Sequence, residues 1–231
     1  MQSTSFTRLV SFAIVCAATF AITQPSHAAM FAGHHRATAS GGAHTGAIVA
    51  GQGPNGGRGV HAGGWIGDGN GGAIHASGGA WSGLAGSAAR GSATHRGSDG
   101  SVSHAGGHSV QGANGGYDNG HNHESRNPDG SGQVGWENHG QGANGGKVDS
   151  SGNFTRGSDG TVTGSSHTTA SGAKGSYVGS TTAANGTTTH DSDYTAVNGD
   201  TYQGETSYTK GQGYTHSGSC KDPQGNVISC R

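Results

Sequence analysis

Apolar positions in this chain do not recur with a helical period. Between residues 91 and about 176 the stretches between turn signals are polar segments that carry one β-branched apolar residue, such as Ser101-Val102-Ser103-His104 and Thr161-Val162-Thr163. That spacing predicts short strands rather than helices. Farther along, Tyr202, Gly204, Thr206 and Tyr208 alternate with other residues, so the period of two puts them on one face of a strand. Glycine excludes a stable helix at this density, since each costs about 1 kcal/mol relative to Ala.

The turn signals keep a fixed distance. Arg96-Gly97-Ser98-Asp99-Gly100, Arg126-Asn127-Pro128-Asp129-Gly130 and Arg156-Gly157-Ser158-Asp159-Gly160 lie 30 residues apart. Half-way between fall Gln111-Gly112-Ala113-Asn114-Gly115-Gly116, Gln141-Gly142-Ala143-Asn144-Gly145-Gly146 and a decayed copy, Ser171-Gly172-Ala173-Lys174-Gly175-Ser176. A turn therefore comes about every 15 residues, as in a stacked or meandering repeat. The Asn-Gly and Asp-Gly pairs predict two-residue hairpins of type I′. The predicted fold class is all-β: a repetitive, polar antiparallel meander or solenoid-like single layer, with a disordered Gly-rich N-terminal part.

Read in order, the chain divides into a signal peptide at residues 1–28 and a flexible lead at 29–50. A Gly-rich low-complexity segment follows at 51–90, holding Trp65 and Trp81. The 30-residue repeats occupy 91–176, and a Thr/Tyr-rich β region occupies 177–218. A disulfide-closed hairpin at 219–231 ends the chain. The signal peptide rests on Arg8, the short apolar run Leu9 to Ile22, and Ser26 and Ala28 before the cut. It implies a secreted or surface protein, with the periplasm as the other compartment it could serve. Beyond it the chain is expected to hold no membrane span. Cleavage removes Cys16 and leaves Cys220 and Cys230, an even pair in an oxidising compartment, which predicts one disulfide around the turn Asp222-Pro223-Gln224-Gly225-Asn226.

Composition limits what such a chain can bury. It has 49 glycines, a formal net charge of −1, and 17 Leu, Ile, Val and Phe residues after Ala28. That is far below the roughly 20% at which a packed core becomes doubtful. Two outcomes remain: a disordered Gly/Ser/Thr polymer, or a thin β architecture held by backbone bonds and polar ladders. The regular turns favour the second. Balanced charge gives no reason to expect nucleic acid as a partner.

Among chemical motifs, the G-x-G-x-x-G matches at Gly51 to Gly56, Gly67 to Gly72 and Gly140 to Gly145 lack the strand-to-helix context that phosphate binding needs. Ser, His and Asp abound, but a triad requires a rigid scaffold to align it, so no enzyme and no cofactor are expected. Histidine is the better candidate. His121 and His123 should share one strand face, with His139 one segment away, and imidazoles of this kind suit Zn²⁺ or Cu²⁺.

The Gln-Gly-Ala-Asn-Gly-Gly blocks and the strand-turn spacing resemble bacterial secreted glycine-rich repeat proteins of the cell surface and biofilm matrix, among them curli-type functional amyloid subunits. The curlin repeat is shorter and carries a Ser/Gln/Asn ladder that this chain lacks, so no residue role transfers. The resemblance implies a non-enzymatic structural protein of the surface or matrix. Its partners would be copies of itself or other matrix components, joined through polar strand edges. Residues 160 to 190, where Lys174 and His167 are the main gatekeeping side chains, are where edge association is expected. The alternatives are a His-rich metal-binding protein and a carbohydrate- or ice-binding repeat module using Trp65, Trp81, Trp136 and the tyrosines.

Overall fold

The computed structural model describes residues 31–39, 42–53, 56–67 and 69–230, and every regular element among them is a strand. The signal-peptide segment lies outside the described residues. The chain forms two compact units, Met1–Pro128 and Asp129–Arg231. The first holds β1 (Phe31–Ala39), β2 (Gly42–Gln52), β3 (Arg58–Gly67), β4 (Ala73–Gly83), β5 (Gly86–Arg96), β6 (Val102–Gly112) and β7 (Tyr117–Arg126). The second holds β8 (Gly132–Gln141), β9 (Lys147–Arg156), β10 (Val162–Gly172), β11 (Gly175–Ala184), β12 (Thr187–Ala196), β13 (Thr201–Thr209), β14 (Gly213–Lys221) and β15 (Val227–Ile228).

Within each unit the sheet is an antiparallel meander in which every strand pairs with the next in sequence. This geometry accounts for the ruler in the sequence. Arg96 opposes Val102, and Val102 opposes Arg126. A step of 30 residues thus returns the chain to the same face and height two strands away, about 9.6 Å across the sheet. In the Thr/Tyr region the loops shorten, and Tyr177, Tyr194 and Tyr202 line up across β11, β12 and β13.

Most turns differ from the type I′ expectation. At the first Asp-Gly turn, the Gly97 N–H donates to the Ser101 carbonyl at 2.8 Å and the Gly100 N–H donates to the Gly97 carbonyl at 3.0 Å. Only Gly100 has positive φ there, at 87°. This is a type I turn closed by a left-handed glycine. The same pair of bonds recurs around Gly115, Gly145, Gly160, Gly199 and Gly225. At the Asp-Gly turns the aspartate supports this geometry: Asp99 Oδ1 accepts from the Ser101 N–H at 2.9 Å and from the Ser101 hydroxyl at 2.6 Å, while Asn114, Asn144 and Asn198 take its place before Gly115, Gly145 and Gly199. Among the described residues Asn185 is the non-glycine with positive φ, and with Gly186 it makes a type I′ turn.

Among the described residues no second layer covers either sheet: the element pairs in substantial contact are strand neighbours. Among the described residues the buried apolar side chains are small, namely Val60, Ala93 and Ala183. The ordered meander also starts earlier than the sequence reading places it. Residues 31–39 and 42–50 pair as a hairpin where a flexible lead was expected, and the Gly-rich segment 51–90 supplies β3, β4 and the start of β5. Glycine prevents helices there but does not prevent pairing, because ladder bonds need only backbone.

Candidate functional site

On the second unit, alternation separates two faces of different chemistry. One carries Trp136, Phe154, Tyr177, Tyr194, Tyr202, Tyr208 and Tyr214, interleaved with glycines. These rings use the glycines as seats. The Tyr202 ring lies over Gly204 on its own strand and Gly218 on the next, where a Cβ at either position would collide with it. Trp136 covers Gly152 in the same way and stacks on Phe154 with centroids 6.0 Å apart. Tyr208 and Tyr214 meet across β13 and β14 at 4.7 Å. A side chain laid flat on a bare backbone buries apolar area without a second layer.

Two copies of one side-chain unit lie on this face. In the first, Thr181 Oγ1 sits 2.9 Å from His190 Nδ1 and Tyr177 Oη 3.4 Å from His190 Nε2. In the second, Thr206 Oγ1 sits 2.9 Å from His216 Nδ1 and Tyr202 Oη 3.4 Å from His216 Nε2. Each imidazole is thus fixed on both nitrogens by a Tyr-x-Gly-x-Thr strand beside it. The sequence reading missed this unit, although its signal was present: Tyr177-Val178-Gly179-Ser180-Thr181 and Tyr202-Gln203-Gly204-Glu205-Thr206 share one pattern.

The opposite face of the second unit is a polar ladder. His139 is clamped there, with Nδ1 2.7 Å from Asp149 Oδ1 and Nε2 2.7 Å from Glu137 Oε1. The bond to Asp149 first, then that to Glu137, raises its pKa above the ordinary histidine value. Across β12, β13 and β14, Asp191, Asp193, Gln203, Glu205, Ser217 and Ser219 line an open trough of about 440 Å³. The Gln203 amide donates to Asp193 Oδ1 at 3.0 Å.

His121 and His123 do share a face of β7, opposite Gly107 and Ala105 of β6. His139 belongs to the other unit and has its two nitrogens on carboxylates. Among the described residues no set of three or more His, Cys, Asp and Glu side chains is gathered as a metal site. Cys220 and Cys230 are joined by the expected disulfide, with their Cα atoms 5.3 Å apart. Its hairpin covers only one end of β14: β15 pairs with Cys220 and Lys221. Residues 213–219 of β14 therefore pair on one side, with β13.

This relocates the open edge. Residues 160–190, expected to associate edge to edge, form β10, β11 and the start of β12, each paired on both sides. A meander saturates every strand between its ends, so low charge in the middle of the sheet offers no edge. Among the described residues no helix is long and apolar enough to cross a membrane. No family model, no curated protein and no solved structure matches this chain.

Proposed function

We propose that the protein is a secreted, non-enzymatic structural component of the cell surface or extracellular matrix that assembles with copies of itself. The observation that carries this reading is the β14 edge. Residues 213–219 present a row of backbone donors and acceptors on their outer side, and such a row templates the addition of another strand. The rest of the molecule supports it. Among the described residues each sheet is a single layer with few buried side chains, so its stability does not depend on a closed shape. The open stretch itself, Gly213 to Ser219, carries no Asp, Glu, Lys or Arg and is chemically suited to pair with its own kind. The disulfide pins the tail at Cys220 and leaves the remainder of the edge clear.

The test is incubation of residues 29–231 at micromolar concentration, followed by electron microscopy and fibre diffraction. Elongated assemblies with a spacing of about 4.7 Å along the axis are expected. The double variant Thr215→Lys/Ser217→Lys places two charges along the edge and should slow elongation at least tenfold. Unchanged elongation in that variant would sink the edge reading.

A further inference from the structure

The first unit has a face unlike any other in the molecule. Register places three adjacent rows of side chains on it across β2 to β6. One row reads Gly46, Gly64, Ala76, Ala93, Ala105. The next reads Ile48, Ala62, Gly78, Gly91, Gly107. The third reads Ala50, Val60, Ala80, Ala89, Ser109. No titratable group occurs in these rows, and Ser109 supplies the sole hydroxyl. The opposite face of the same strands carries His61, His75, Arg90, His104 and His108 beside Trp65 and Trp81. In these central rows the charge lies on the opposite side; on the alanine/glycine face it stands toward the strand ends, with Arg58 beyond Val60 and His95 beyond Ala93.

From this asymmetry we infer that the alanine/glycine face is an interface between two copies of this chain, packed face to face. The inference deepens the assembly reading above by naming a second contact. Three observations select a second copy as the occupant. The face is self-complementary in character: uncharged and low on both partners, so that neither buries an unpaired polar side chain. Its side chains are mostly methyl groups or hydrogens, so two such sheets can approach more closely than the ~10 Å of ordinary stacked sheets, with dry interdigitation. Its extent is sufficient. At ~4.8 Å per strand and ~6.7 Å per same-face row, the three central rows cover about 500 Å², so two copies would together bury about 1,000 Å², the lower limit of a specific interface, with Arg58 and His95 of the flanking rows at its margin. Ile48 and Ile66 stand 47% and 51% exposed on the same face, aliphatic side chains able to seat between the small residues of a partner. On β7 the rows end in His123, His121 and Asn119, which gives the patch a polar rim.

Sedimentation equilibrium of residues 29–231 from 1 to 100 μM, with circular dichroism on the same samples, tests the inference. The wild type should dimerise. Ala62→Arg/Ala89→Arg should raise the dissociation constant at least a hundredfold, whereas Ser77→Arg, on the opposite face of β4, should change it less than threefold. Gly46→Leu guards against misfolding of the arginine variant: a Cβ there meets the Gly63 carbonyl at an ordinary 3.6 Å, so the monomer tolerates it while the docking face is raised, and dimerisation should weaken about tenfold. A wild-type monomer across the range, or a dimer indifferent to both face variants, overturns the face interface. The two contacts separate cleanly. Elongation that persists in Ala62→Arg/Ala89→Arg with unchanged filament width leaves the edge reading standing and removes this one. A dimer that persists in Thr215→Lys/Ser217→Lys while elongation is unchanged leaves this contact standing and removes the edge reading.

Discussion

The two units follow one plan and hold themselves together differently. Both are antiparallel meanders on the same type I turns with a left-handed glycine. In the first, the middle rows of one face are reduced mainly to Ala and Gly, and its central strands are joined mainly by backbone. Side-chain bonds on those strands include Thr94 Oγ1 to His104 Nδ1 at 2.8 Å and a long Ser77 to Ser92 contact at 3.5 Å. In the second, hydroxyls couple strand to strand: Thr155 with Thr163 at 2.8 Å, Ser150 with Thr168 at 3.0 Å, Thr187 with Thr209 at 3.0 Å and Thr189 with Ser207 at 3.1 Å. Aromatic rings then cover its glycines, whereas in the first unit Trp65 over Gly67 and Trp81 over Gly83 do so on the face away from the alanines. The difference teaches that a single layer has two routes to stability. It can cover its own backbone with rings, or it can remain bare and flat enough for another sheet to cover it.

Backbone changes should have the largest effect and should hit both units alike. Gly86 and Gly175 close the two-residue turns before β5 and β11 with φ of 131° and 136°, and a Cβ at either would collide with a carbonyl of the facing strand, Gln111 or Thr195. Gly86→Ala and Gly175→Ala should each cost about 2–3 kcal/mol, read as a lowered urea midpoint. A loss confined to one unit would show that the shared turn is not what the two have in common.

Side-chain truncation should separate them. Tyr202→Ala uncovers Gly204 and Gly218 and frees His216, and should destabilise the second unit by about 1–2 kcal/mol. Tyr202→Phe keeps the ring on its glycines and should cost about 0.5 kcal/mol. In the first unit, the equally drastic Trp81→Ala removes a ring that is 45% exposed and should cost no more than about 1 kcal/mol. Hydrogen exchange resolved by strand distinguishes the units. Equal losses would mean that rings contribute the same to both.

Titration should have the smallest effect. Asp99 in the first unit and Asp129, Asp159 and Asp222 in the second have pKa values below the ordinary carboxylate value of 3.8. The main cause is the side-chain bond from Ser101, Ser131, Thr161 and Asn226 respectively. Their contribution is complete above that value and is lost as pH falls through the lower folded values. His139 runs the other way. Its raised pKa means that the clamp stabilises fully below 6.5 and fades as pH rises through the folded value. The second unit should therefore weaken more than the first below about pH 4, and alone should show a small decline above pH 6.5 that His139→Gln abolishes. Urea midpoints from pH 2 to 9 check both limbs, and an alkaline decline that survives His139→Gln would assign it elsewhere.

Much of this was legible in the sequence because a meander is a local fold. The 30-residue step, the strand lengths and the shared face of Tyr202, Gly204, Thr206 and Tyr208 follow from turn spacing and a period of two. The Cys220–Cys230 bridge followed from parity. The turn subtype did not. Whether Asp-Gly makes a type I′ turn or a type I turn with a bulge depends on the carboxylate finding Ser101 two residues later, a bond that composition does not specify. The early strands were obscured because glycine weakens strand preference without abolishing pairing.

The sequence by itself determined that this chain is a repetitive β-meander with too few large apolar residues for a core. Turn chemistry and alternation are short-range properties, and each stretch carries its own. Only the tertiary structure decided which face each row joins, which rings find which glycines, that β10 to β12 are interior and β14 is an edge, and that Ala and Gly from separate strands gather into three adjacent uncharged rows. Those outcomes depend on register, the sum of every loop length before a given strand, and a shift of one residue would send each row to the other face.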